Sequence, residues 1–186
     1  IDDTLDPASL TTNNLGGAVR FDGFSSFGIC QTNGRPSEGC DVATPTFNIA
    51  EQLFMAWDTA ATYRSELLGV NAVDYQVLSV RVGVSHGDLD NTAGQDFQVI
   101  LEDMDGNRVS ALASDYTESL FYPPGREFYD ETNHGSQKTT LNAVDIPLTA
   151  FEGVDFTNLN AIELAFDQTP AGTVQVTDLV LQRVDF

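Results

Sequence analysis

The last third of the chain, Thr139 to Phe186, alternates apolar and polar residues three times in succession. Val144, Ile146 and Leu148 share one face of the first run, and Ile162, Leu164 and Phe166 share one face of the second. Val174, Val176, Leu179 and Leu181 line the third, with a slip of register at Thr177-Asp178. A period of two sends successive side chains to opposite faces of an extended chain, so each run reads as a strand with one side buried. EGVDFTNLN and TPAG, rich in turn formers, separate the runs. The slip is expected to be a β-bulge, which re-aims one side chain. Half-buried strands must close against a second layer, and the expectation is an all-β, two-sheet antiparallel β-sandwich of the jelly-roll type.

The upstream sequence agrees. YQVLSVRVGV places Val80, Val82 and Val84 on one face and Ser79, Arg81 and Gly83 on the other. Leu53, Met55 and Trp57 alternate, and a strand from Tyr63 to Leu68 follows the DTAA turn. Phe97 to Leu101 and Val109 to Ala113 flank DMDGN, which reads as a hairpin connection around Asp-Gly. Ala18 to Phe21 opens the first strand, and FDGFSSFG after it reads as an aromatic-rich loop or bent strand. Residues 1–17 are polar and irregular, an N-terminal arm or linker, and residues 18–186 form the β-sandwich domain. Tyr116 to Gln137 is a long irregular stretch whose aromatics argue against disorder.

Charge narrows the partners. Eight basic residues stand against 28 acidic ones, a net charge of −20. Such a field repels nucleic acid and anionic membrane surfaces and welcomes divalent cations. The acids are spread along the chain, which also fits solubility in a saline, marine-type setting. No apolar run reaches the roughly 18 residues that a membrane span needs. No signal peptide is visible at Ile1, and a chain without an initial Met is expected to be a processed or excised fragment. Cys30 and Cys40 bracket a Gly-, Asn- and Pro-containing loop that can fold back to a disulfide, with two free thiols as the alternative. A disulfide points to an oxidising, extracellular compartment.

VDIPLTAFEGVDFTNLNAIELAFDQTPAGTVQVTDLVLQ resembles the closing third of carbohydrate-binding-module-like jelly rolls appended to secreted hydrolases. QLFMAWDTAATYRSELL, VLSVRVGV and DFQVILEDMDGNRVSALASDY extend the resemblance over residues 47–186. It implies a non-catalytic accessory domain whose parent carries a glycoside hydrolase, lipase or esterase. It also implies a structural calcium between the first and last strands, with Asp178 and Asp22 at the matching places.

The residues themselves leave alternatives open. Asp88 and Asp90, with Asn91, stand in a loop that fits either a calcium site or a solvated acidic turn. Asp178 interrupts an apolar strand, so it needs water at a bulge, a cation or an arginine. Aromatic faces stack on pyranose rings, and Trp57, Tyr63, Tyr116, Tyr122 and Tyr129 are the candidates, with Arg64, Arg81 or Gln98 as hydrogen-bonding neighbours. Trp57 also reads as core, and the long loop's tyrosines as packing. Neither a G-x-S-x-G elbow, a P-loop nor a dinucleotide motif occurs, and His86 and His134 have no partner that spacing identifies. Two readings follow. One is a carbohydrate-binding-like module partnered by polysaccharide and an attached catalytic domain. The other is an interaction β-sandwich that packs on a catalytic domain or surface partner without binding sugar. A stand-alone hydrolase is a poorer third.

Overall fold

A computed structural model of the chain describes residues 4–5, 10–30, 52–84, 94–120 and 141–184. Among them are eleven strands: β1 (Thr4–Leu5), β2 (Val19–Asp22), β3 (Ser26–Cys30), β4 (Gln52–Trp57), β5 (Ala61–Val70), β6 (Val77–Val84), β7 (Gln98–Asp103), β8 (Arg108–Leu112), β9 (Asn142–Pro147), β10 (Leu159–Phe166) and β11 (Gly172–Gln182). They form two antiparallel sheets. One is six-stranded, β3-β4-β11-β6-β9 with β1 on β11; the other is five-stranded, β2-β5-β10-β7-β8. This is the two-sheet jelly-roll sandwich that the alternating runs predict.

The core lies between the sheets. Leu53, Met55 and Trp57 of β4, Val80, Val82 and Val84 of β6, and Val174 and Val176 of β11 face inward from one side. Tyr63, Val99, Leu101, Ile162, Leu164 and Phe166 meet them from the other. The sandwich is keyed by rings. Phe166 packs on Trp57 at 4.7 Å and on Phe97 at 5.3 Å. Phe24 completes the group, edge-on to Phe166 at 5.6 Å. The FDGFSSFG stretch is a strand, a tight turn at Gly23 (φ +79°) and a second strand, carrying the chain from the five-stranded sheet to the six-stranded one. That crossing stacks Phe21 on Phe27 at 4.2 Å with Phe24 edge-on to both, so three phenylalanines at three-residue intervals converge rather than scatter.

The slip at Thr177-Asp178 is a bulge: β11 is in register with β6 up to Thr177–Arg81 and resumes at Val180–Ser79. Asp178 takes φ +50°, in the left-handed region where Asp and Asn are the tolerated non-glycine residues. The TAF end of IPLTAF departs from the strand reading. Leu148–Phe151 is a 3-10 turn, with Leu148 and Phe151 still buried.

Part of the segment read as an arm is hydrogen-bonded to the sandwich. Thr4 and Leu5 pair with Val180 and Leu179. Asn13, 5% exposed, donates to Ser65 Oγ at 2.8 Å and to the Glu66 carbonyl at 2.7 Å. Gln95 is a second tie. Its backbone N–H reaches the Leu120 carbonyl at 2.9 Å, its Oε1 accepts from Thr169 Oγ1 at 2.6 Å, and its Nε2 donates to the Ala171 carbonyl at 3.3 Å. Gly172 passes so close that a Cβ there would sit 2.4 Å from Gln95 Oε1.

Candidate functional site

A sandwich has two outer faces, and here they differ. On the six-stranded sheet most outward positions of the middle strands are shielded from water: Phe54, Ser79, Thr173, Gln175 and Thr177 are buried, and Arg81 is the exposed exception among the described residues of β6. On the five-stranded sheet the outward positions are polar and half-open. Alternation places Thr62, Arg64 and Glu66 outward from β5, because Ala61, Tyr63, Ser65 and Leu67 point in. Register then lines Arg20, Arg64 and Glu163 across the sheet, with Ile100 and Ser110 beyond.

These side chains form one network. Arg64 grips Glu102 with both guanidinium nitrogens, each at 2.8 Å, and also bonds Glu163. Arg108 closes the square, reaching Glu102 at 3.1 Å and bonding Glu163 from the other side. Asn160 donates to Glu102 at 2.6 Å, and Arg20 pairs with Glu66 at 2.8 Å. Fork-to-fork pairs of this kind fix direction as well as energy. The Arg64 hydrogen bond, against the cost of burial, holds the Glu102 carboxyl at about 2, below its ordinary 4.5. The same bond raises Arg64 above its ordinary value. Three arginines face three glutamates here, so the patch is balanced within a chain of net charge −20. The far end of the face is braced by Asp103, which accepts from the backbone N–H of Asp155 at 2.9 Å and from Asn107 and Asp105. Those bonds lower its pKa, the Asp155 N–H first. The platform therefore offers fixed donors and acceptors beside small apolar spots at Ala165, Ile100 and Leu112. Among the described residues no outward position of these five strands is aromatic.

The expected site residues fall in several places. Trp57 and Tyr63 are 2% and 0% exposed. Both belong to the inward row of their strands, so neither presents a ring to a ligand, and the stacking role expected of them gives way to core packing. Tyr116 is half-buried against the core after β8. Arg81 stands on the other outer face, away from the platform, 3.4 Å from Asp178, and both are more than half open to water or nearly so. Asp178 thus has an arginine partner, one of the alternatives its place in an apolar strand left open, and an exposed pair of this kind contributes about 0–1 kcal/mol. Asp22 lies on the outward side of β2, in the opposite sheet, with the core between it and Asp178. Two carboxylates on opposite outer faces cannot bind one ion, which corrects the Asp22–Asp178 calcium pair. Among the described residues no group of three or more acidic, His or Cys side chains is placed to hold a metal. Cys30 ends β3. Cys40, the expected disulfide partner, the carboxylates Asp88 and Asp90, and the rings of Tyr122 and Tyr129 lie outside the described residues.

Of the platform, the sequence reading named Arg64 and Gln98 and missed Glu102, Glu163, Arg108 and Asn160. The signal was present in AIELAF, where Glu163 holds an outward position in the middle of an otherwise apolar strand.

The architecture is the β-sandwich found in carbohydrate-binding modules. The chain is similar to the family 11 carbohydrate-binding module from Clostridium thermocellum, solved with a β-1,3-1,4-mixed-linked tetrasaccharide. The TM-score is 0.54 at 8% identity, over 99% of this chain and 97% of that one. It is also similar to the family 30 carbohydrate-binding module of a cellulosomal cellulase of the same organism, with a TM-score of 0.50 at 16% identity over 76% and 79%. The β-1,2-glucanase from Parabacteroides distasonis matches with a TM-score of 0.55 at 15% identity, over 99% of this chain but 25% of that one. At these identities the likeness is one of fold. No protein-family model and no curated protein matches the sequence.

Proposed function

We propose that this chain is a non-catalytic carbohydrate-binding module that lays a neutral polysaccharide along the outer face of the five-stranded sheet. The observation that carries the reading is the charge-balanced, pre-ordered Arg64–Glu102–Arg108–Glu163 network on the open face of a strongly acidic protein. Sugar hydroxyls both donate and accept, and the exposed Arg108 and Ser110 with the half-buried Gln98 meet both needs, Arg108 being held in place by Glu102 and Glu163 so that little reorganises on binding. Net charge disfavours anionic glycans. Tyr122 and Tyr129 are the stacking rings in this reading. The solved neighbours that are named for sugar binding or act on glucans support the ligand class.

Affinity electrophoresis through mixed-linkage β-glucan, β-1,2-glucan and agarose tests it. Retention by at least one is expected, with the Gln98→Ala/Arg108→Ala double variant weakened about tenfold. Migration unchanged in every gel would end the reading.

A secreted hydrolase is the parent in this proposal, and a Cys30–Cys40 disulfide belongs to it. Intact mass under non-reducing conditions should be two hydrogens below the reduced chain; two alkylatable thiols would remove that element. The calcium proposal now rests on Asp88 and Asp90 alone. Chelator should then lower the melting temperature by several degrees, and an unchanged melt would dispose of the ion.

The second reading, an interaction sandwich that binds no sugar, is favoured by one observation: Leu68, Val73 and Met104 stand exposed beside the 155–158 loop.

A further inference from the structure

A pocket of about 460 Å³ opens at the end of the sandwich where β5 leads to β6 and β9 leads to β10. Its walls are Ala72, Tyr75, Leu148 and Phe156, with Val73, Thr149, Glu152 and Gly153 around the mouth. The frame is hydrogen-bonded. Ala72 donates to the Phe156 carbonyl at 2.7 Å, Leu148 to the Gln76 carbonyl at 2.8 Å, and Gln76 to the Gln182 carbonyl at 3.0 Å. Arg183 lies over the Tyr75 ring at 5.0 Å and reaches Asp74 at 3.7 Å, holding the ring as a wall. The pocket is therefore pre-formed, and its lining is chiefly apolar, unlike the sheet face.

Its surroundings continue the theme. Leu68, Val73 and Met104 are 63%, 55% and 52% exposed. All three border the 155–158 loop. Met104 donates to the Asn158 carbonyl at 3.0 Å, and Gly69, next to Leu68, passes so near Asn158 that a Cβ would sit 2.7 Å from its Oδ1. Leu68 holds φ +57°, a costly conformation for a leucine, and still faces solvent. Glu152 has no ion-pair partner among the described residues. An apolar anchor pocket, exposed apolar shoulders and a charged rim are the anatomy of a protein interface. Two copies at −20 each repel, so a second copy of this chain is a poor occupant.

We infer that this end docks a basic polypeptide segment, such as a neighbouring domain presents, which inserts one large apolar side chain between Tyr75 and Phe156 and sets a cation against Glu152. The inference does not depend on sugar binding at the sheet face.

Nuclear magnetic resonance titration with Ac-Lys-Trp-Lys-NH2 and Ac-Glu-Trp-Glu-NH2 tests it. The lysine peptide should shift the Tyr75 and Phe156 ring signals saturably, with Kd on the order of 1 mM, and the glutamate peptide should bind several-fold more weakly. Thr149→Trp should fill the mouth and abolish both, while Glu152→Gln should narrow the difference between them, more than the same change at the remote Glu118 does. Equal binding of the two peptides, no shift at either ring, or the same shifts produced by a glucan disaccharide would overturn it. Arg108→Ala should leave peptide binding intact, and Thr149→Trp should leave polysaccharide retention intact, so failure of one site is separable from failure of the other.

Discussion

Trp57→Ala is expected to lower the unfolding free energy by about 3–5 kcal/mol, the range for deleting a large aromatic from a packed interior. Trp57 is 2% exposed and packs on Phe166, which in turn touches Phe24 and Phe97. Truncation therefore opens a void at the hub of the aromatic group. It also removes the indole N–H bond to the Thr169 carbonyl at 3.3 Å, at the turn between β10 and β11. Urea denaturation measures the loss as a lower midpoint with an unchanged slope. The same variant separates two roles for the residue. A tryptophan exposed for stacking would cost about 0.5 kcal/mol or less when removed and would take sugar retention with it. A small stability change would therefore overturn the core placement.

Arg64→Met should be the second most damaging change. It strands Glu102 and Glu163, whose side chains are 12% and 6% exposed, with Arg108 as the remaining cation. Breaking a buried pair from one side costs about 3–5 kcal/mol, and the partial exposure of Arg64 reduces that to about 2–3 kcal/mol. The network also has an acid signature. Glu102 ionises at about 2 in the folded chain against an ordinary 4.5, so the native state favours the carboxylate. That stability is complete above the ordinary value and is lost as pH falls through the folded one. Melting temperature followed downward from neutral pH should drop through this window in the parent chain. In Arg64→Met it should start lower and fall less. An acid limb of the same depth in both proteins would show that some other carboxylate carries it.

Much of the scaffold was legible because burial on one side of a strand imposes a period of two. Val80, Val82, Val84, Ile162, Leu164 and Phe166 point inward as that period requires. The break in period at Thr177-Asp178 became a bulge for the same reason: one extra residue must be expelled before Leu179 and Leu181 can return to the core. Period alone says which side is inward, but not which strands are neighbours. Arg64, Glu102, Arg108 and Glu163 come from four strands, and their square exists only through the order β5-β10-β7-β8. No local pattern could assemble it. The aromatic candidates misled for a related reason. Trp57 and Tyr63 carry polar atoms, which suits a binding surface in composition, yet each sits in the inward row of its own alternation. Phase was the better guide than residue type.

Gln95 has an evolutionary consequence. Gln95 holds the Leu120 carbonyl with its backbone N–H and the β10–β11 turn with its side-chain amide, so both ends of the β7–β8 segment are fixed at a single post. Sequence outside those two residues can then change over evolution without disturbing the strand register between them. The clamp, and the bare glycine that makes room for it, keep that frame unaltered.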